Sequence, residues 1–176
     1  MPLETPTLTK PQLRAILRAS GNGNVRVMFP MVADARELQR AKEILNECRE
    51  ELAAERIEFG TVSVGAMVEV PAALCAAELA RDADFLSIGT NDLTQYALAA
   101  DRGNERFAPY LQDAGHPAVL ALVHLTCEAA REEGVPVGVC GEAAGDPEIV
   151  SKLIEAGVTE LSMAPPTIPR NQEAGG

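Results

Sequence analysis

Short apolar runs alternate along this chain with longer stretches whose apolar positions recur every three or four residues. The short runs read as buried strands: Val25 to Met28, Val62 to Val68, Phe85 to Ile88, Val135 to Val139 and Glu160 to Met163. The longer stretches read as amphipathic helices. From about Asp34 to Arg56, Leu38, Ala41, Leu45, Cys48 and Leu52 share one face, and Asp34 with Glu37 has the pattern of a capping box. Lys10 to Ser20 gathers Leu13, Ile16 and Leu17 on one side. Further helices are expected to open at Pro71, to run from Leu93 to Ala100, and to span Pro117 to Glu133 and Pro147 to Ala156, the last two stopped by Gly134 and Gly157. Regular strand–helix alternation calls for an α/β fold with a parallel sheet and right-handed crossovers.

Five strands fall short of the eight, and roughly 250 residues, of a closed (β/α)8 barrel. The last strand is followed by Thr167-Ile168-Pro169-Arg170 and a polar tail, and helix 10–20 has no strand before it. The expected organisation is therefore part of a TIM-type barrel over residues 1–170 and a polar tail at 171–176. No repeat or low-complexity segment is visible.

Composition narrows the function classes. Aromatic residues are 3% with no Trp, so the core must be built from Ala, Val, Leu and Ile. A formal charge of -11 leaves no basic patch to neutralise phosphates, which argues against nucleic acid as a partner. No apolar run approaches the roughly 20 residues that span a bilayer, so no membrane insertion is expected. The start lacks the basic and apolar regions of a secretory signal. Cys48, Cys75, Cys127 and Cys140 show no CxxC spacing, which suits reduced thiols in a cytoplasmic protein.

The chemistry-bearing residues sit where strands end. Ala66-Met67-Val68 runs into Glu69 and Pro71; the strand 85–88 stops at Gly89 and delivers Asn91 and Asp92; the strand 135–139 ends at Cys140-Gly141-Glu142. In a parallel α/β barrel such tips converge on the C-terminal rim. Each also has a plainer reading. Glu69 can be a solvated residue before a helix-starting proline, Asp92 an N-cap of a helix beginning near Leu93, Arg102 a turn residue paired to Asp101, and Cys140 a small buried hydrophobe. Cys48, Cys75 and Cys127 are expected in the core, as are Met28 and Met31. The helix 37–56 reads as a solvated face.

Val25-Arg26-Val27-Met28-Phe29-Pro30-Met31, Val68-Glu69-Val70-Pro71-Ala72-Ala73, the segment from Ser87-Ile88-Gly89-Thr90-Asn91-Asp92-Leu93-Thr94-Gln95-Tyr96 to Asp101-Arg102-Gly103-Asn104, and Val139-Cys140-Gly141-Glu142 together resemble one family. It is the C-terminal, phosphoenolpyruvate-binding barrel of Enzyme I of the bacterial sugar phosphotransferase system. The helix Gln12 to Ser20 is similar to the one preceding that family's fourth strand, so the resemblance implies barrel strands 4–8. It further implies Mg²⁺ held by Glu69 and Asp92, substrate bound by Asn91, Asp92 and Arg102, and Cys140 as the thiol acid that protonates enolpyruvate. A thiol of ordinary pKa, about 8.5, is mostly protonated at neutral pH and can donate. An arginine suits phosphate because its planar fork gives paired, charge-assisted hydrogen bonds.

The resemblance also implies partners: phosphoenolpyruvate and pyruvate, a swivelling histidine-bearing domain, the small phosphocarrier protein, and a homodimer mate. Its first three strands carry two further phosphate-gripping arginines that have no counterpart here. His116, before Pro117, and His124, mid-helix, do not resemble the family's phosphoacceptor, and Val70 stands where Thr is usual. The chain alone is expected not to complete the reaction. Two other readings stay open: a catalytically inactive half-barrel or oligomerisation module, and the barrel portion of a pyruvate phosphate dikinase or phosphoenolpyruvate synthase.

Overall fold

Five strands, β1 (Val25–Phe29), β2 (Val62–Val68), β3 (Phe85–Gly89), β4 (Val137–Cys140) and β5 (Glu160–Ser162), lie parallel and side by side in sequence order. A computed structural model describes residues 6–101, 103–111 and 113–168. The helices are α1 (Pro6–Ser20), α2 (Ala35–Ala54), α3 (Ala76–Asp82), α4 (Thr90–Ala97), α5 (Ala108–Leu111), α6 (Pro117–Glu132) and α7 (Pro147–Ala156). The protein is thus an α/β molecule built on one five-stranded parallel sheet.

Register assigns the two faces. Val27 pairs with Val64, Leu86 with Val137 and Ile88 with Val139, so these residues alternate onto one face, where they are buried among the helices. Leu38, Ile44, Leu45 and Leu52 of α2, Leu79 of α3 and Leu153 of α7 complete that core. Each is about 1% exposed or less, so truncation to Ala would cost roughly 2–5 kcal/mol. The opposite face carries Arg26, Met28, Gly65, Met67, Phe85, Ser87, Gly138, Cys140, Glu160 and Ser162 by the same alternation.

On that opposite face Gly65 pairs directly with Phe85, and a β-carbon at Gly65 would stand 2.5 Å from the ring. The glycine makes room for the aromatic side chain. The Arg26 guanidinium lies 3.9 Å above the ring centroid, and its Nη1 donates to Glu160 Oε2 at 2.7 Å. A side chain of the first strand therefore reaches one of the last, which curls the sheet across β2, β3 and β4.

Local signals explain most boundaries. Asp34 caps α2 by accepting from the Glu37 N–H, and Glu37 Oε2 in turn accepts from the Ala33 N–H, one residue earlier than the capping-box pattern specifies. His116 caps α6: its Nδ1 accepts from the Ala118 N–H, with Pro117 at the first helical position. Gly157 ends α7 at φ 106, a conformation that glycine adopts without strain.

Several expectations need correction. The helix after β3 begins at Thr90 rather than Leu93, and its N-cap is Gly89, so Asp92 lies inside the first turn and is not the cap. The segment at Pro71 is first a 3-10 turn, Pro71–Cys75, before α3 takes over. That turn leaves Cys75 exposed, unlike the buried Cys48 and Cys127. Met31 is also exposed, at φ 53, and Met28 is only half-buried. Helix α1 starts at Pro6 and tolerates Pro11 in its interior. Residues 171–176, read as a polar tail, lie outside the described residues.

Candidate active site

The last pairings of the sheet place four strand tips on one rung. Val68 pairs with Ile88, so Glu69 stands one residue further on, beside Gly89; Gly89 pairs with Cys140, and Cys140 with Ser162. In parallel strands all these tips point the same way, and their alternation sets them on the face that carries Arg26 and Phe85. Glu69, Gly89, Cys140 and Ser162 thus form the C-terminal rim of that face.

Glu69 is 4% exposed, an unusual state for a carboxylate. Its Oε1 accepts from the Met31 N–H at 2.6 Å, at the turn that follows β1. The left-handed φ of Met31 belongs to that same turn, which gives the exposed methionine a backbone role. The close neighbour on the other side is Gly89: a β-carbon there would lie 2.8 Å from Glu69 Oε2 and 3.2 Å from Met67 Sδ.

The Cys140 thiol lies between strands. It donates to the Ile88 carbonyl at 3.6 Å and accepts from Ser87 Oγ at 3.7 Å. Thr90, only 1% exposed, donates its hydroxyl to the Cys140 carbonyl at 3.2 Å. Asn91 accepts from the Glu142 N–H at 3.2 Å. Asp92 is half-buried in the first turn of α4, where the helix dipole favours a carboxylate. Arg102 lies outside the described residues.

A cleft of about 670 Å³ opens beside this rim, lined by Asn91, Cys140, Glu142, Asp146, Ser162 and Met163 among others. A smaller recess of about 230 Å³ on the same face brings Cys140 and Ser87 together with Arg26 and Glu160. The thiol therefore borders both spaces. Ser87, Thr90 and Gly141 were not singled out as site residues by sequence reasoning. The signal was present, since Ser87 and Thr90 flank the Gly89 at which β3 ends.

Glu69 and Asp92 are carboxylates, the oxygen donors that hard divalent cations take. Among the described residues no group of three or more His, Cys, Asp or Glu side chains is gathered for a metal. Mg²⁺ does not need one: it takes one or two carboxylates and completes an octahedral shell with substrate oxygens and water. Glu69 Oε1 accepts from a backbone N–H, and Oε2 lies close to Gly89.

Among the described residues no helix is long and apolar enough to cross a membrane. Comparison with known proteins gives a consistent picture. The chain is 47% identical over 168 residues to phosphoenolpyruvate-protein phosphotransferases of Geobacillus stearothermophilus and Bacillus subtilis (strain 168), and 44% identical over 170 residues to that of Haemophilus influenzae. These alignments cover 94% to 96% of this chain but 29% of each relative, so the chain spans less than a third of their length. Among solved structures, a citrate lyase from Burkholderia xenovorans LB400 superposes with a TM-score of 0.67 at 21% identity, covering 95% of this chain and 53% of that one. An HpcH/HpaI aldolase/citrate lyase family protein from Burkholderia cenocepacia J2315 gives a TM-score of 0.62 at 19% identity, covering 97% and 68%. At such identities these two establish the fold alone. Residues 1–174 match the family described as PEP-utilising enzyme, PEP-binding domain, and the chain belongs to that family.

Proposed function

We propose that this chain is the strand 4–8 portion of the phosphoenolpyruvate-binding barrel of an Enzyme I-type phosphoenolpyruvate-protein phosphotransferase, with residues 1–170 as the partial barrel and 171–176 as a tail. The observation that carries the reading is the shared rung of Glu69, Gly89 and Cys140, with Asn91 at the cleft beside it. Glu69 and Asp92 are the Mg²⁺ ligands. The cation, when bound, offsets the negative charge of the phosphate and of the enolate oxygen.

Asn91, Asp92 and Arg102 hold phosphoenolpyruvate. As the phosphoryl group leaves, its P–O bond to the enol oxygen breaks and a new bond forms to a histidine nitrogen of the swivelling domain. The enolate left behind takes the Cys140 thiol proton at its methylene carbon and becomes pyruvate. The thiolate then regains a proton from solvent. In the intact cytoplasmic system the next acceptor is the phosphocarrier protein of sugar uptake, and the barrel forms a homodimer.

Isothermal titration with phosphoenolpyruvate and Mg²⁺ tests the reading. Heat from the wild-type chain that disappears in Asp92→Ala is the expected result. A second reading, an inactive half-barrel that self-associates, is favoured by one observation: β1 and β5 are each paired on one side among the described residues, and open strand edges recruit further strands. No heat from either protein would leave that reading standing.

A further inference from the structure

Two consecutive residues of α4 clamp two residues that flank a glycine at the β4 tip. Thr90 Oγ1 donates to the carbonyl of Cys140, and Asn91 Oδ1 accepts from the N–H of Glu142. Gly141 lies between the two clamped groups at φ 119, a conformation that L side chains rarely adopt. A β-carbon on Gly141 would stand 2.5 Å from Thr90 Oγ1 and 2.9 Å from Asn91 Oδ1. The start of α4 and the turn after β4 therefore meet at a point where only a hydrogen atom fits.

The chemistry of an amide side chain gives this clamp a consequence. A backbone N–H is a donor only, so the end of the Asn91 side chain that meets it must be the oxygen. The NH2 end is then directed away from Glu142, on a residue that lines the 670 Å³ cleft. We infer that Gly141 and the Glu142 N–H are positioning groups that fix the Asn91 amide, holding its NH2 toward the cleft as a donor to an anionic oxygen. The same clamp ties that donor to the backbone of Cys140, so the anion-binding group and the thiol move as one unit. The ligand side of this inference rests on the function proposed above; the orientation of the amide does not.

Hydrogen exchange of the Glu142 amide, followed by NMR on the full chain, reads the orientation without any ligand. In Asn91→Ala the acceptor is gone, and exchange at Glu142 should quicken by about tenfold, the equivalent of one hydrogen bond. Asn91→Asp keeps the oxygen and places a carboxylate in the first turn of α4, where the helix dipole tolerates it. Its Glu142 exchange should stay within about twofold of wild type. Gly141→Ala should quicken exchange as Asn91→Ala does; should that variant not fold, the Asn91 pair still decides. Unchanged exchange in Asn91→Ala would overturn the clamp.

Titration of the same proteins with phosphoenolpyruvate and Mg²⁺ reads the donor. Binding by wild type that is lost in Asn91→Asp, while the Glu142 amide stays protected, supports the NH2 role over a merely structural one. Wild-type affinity in Asn91→Asp would overturn it. The expected exchange pattern combined with no wild-type binding would refute the phosphoenolpyruvate reading and uphold the amide's orientation.

Discussion

Gly89 and Glu69 are so close that a β-carbon on the glycine would lie 2.8 Å from the carboxylate Oε2 and 2.9 Å from Glu69 Cβ. The backbone of Gly89, at φ -86 and ψ 87, does not itself demand glycine. What forbids a side chain is the buried carboxylate. Gly89→Ala is therefore a steric probe of Glu69: it should destabilise the fold by about 1–3 kcal/mol, as overpacking does. It should also weaken Mg²⁺-dependent phosphoenolpyruvate binding. Urea denaturation and calorimetric titration measure the two effects separately, and a fully stable Gly89→Ala would show that Glu69 can move aside.

Glu69→Gln separates charge from packing. The amide is nearly isosteric, and its carbonyl oxygen can still accept from the Met31 N–H. With the Met31 hydrogen bond kept, any change in stability reports the charge rather than the packing. Mg²⁺ affinity, read by titration, should fall by about tenfold or more for loss of one of two carboxylate ligands. Retained affinity with an unchanged melting curve would remove Glu69 from the metal site.

The brace between Arg26 and Glu160 should contribute modestly. Both side chains are substantially exposed, at 43% and 60%, so a double-mutant cycle should return about 0.2–1 kcal/mol, diminishing in high salt. Arg26→Ala also forfeits the contact with the Phe85 ring, worth roughly 0.5–1 kcal/mol at an exposed site. Arg26→Ala should thus cost more than Glu160→Ala in urea denaturation. Equal costs would mean the ring contact adds nothing.

Alkaline pH should weaken the fold through Cys127. Burial pushes this thiol up to about 11, and burial raises Cys48 as well. With the folded pKa above the unfolded one, the unfolded chain releases protons first as pH rises. The contribution is present below pH 9 and is lost progressively toward about pH 11. Cys127→Ala should flatten that part of the stability profile. Thiol labelling at pH 8 should reach the exposed Cys75 long before the buried Cys127.

Acid should loosen α1. Lys10 bridges Glu47 and Glu51 of α2, and Arg14 bridges Glu51 and Glu55. The Lys10 ammonium holds the Glu47 and Glu51 carboxyls below their usual value of 4.5. Their contribution is therefore complete above pH 4.5 and disappears as pH falls through their lower folded values. Protection of the α1 amides, corrected for the intrinsic pH dependence of exchange, should fall at low pH while that of β3 does not. Simultaneous loss in both elements would contradict a local fastening.

The strands and long helices were legible because their cause is local. The five apolar runs, the spacing of Leu38, Leu45 and Leu52, the Asp34 cap and the Gly134 and Gly157 stops each act within a few residues. Where expectation missed, a neighbour distant in sequence or an unforeseen local turn intervened. The helix after β3 starts three residues early, at Thr90, whose hydroxyl is engaged by the β4 tip 50 residues later. Cys75 and Cys127 look alike as helix thiols, yet the 3-10 turn at Pro71 rotates one outward. Met31, expected in the core, is exposed because its backbone is bent to serve Glu69.

By itself the amino-acid order determined which residues end each strand, and hence that Glu69, Asn91, Asp92 and Cys140 would be strand-tip groups. It did so because apolar periodicity and turn residues are short-range properties. Tertiary structure alone decided which tips share a rung, that Gly89 and Gly141 are points of close approach around the site, and which end of the Asn91 amide is occupied. Those facts depend on sheet register and on contacts between residues 20 to 51 positions apart, where a shift of one residue would turn every side chain to the other face.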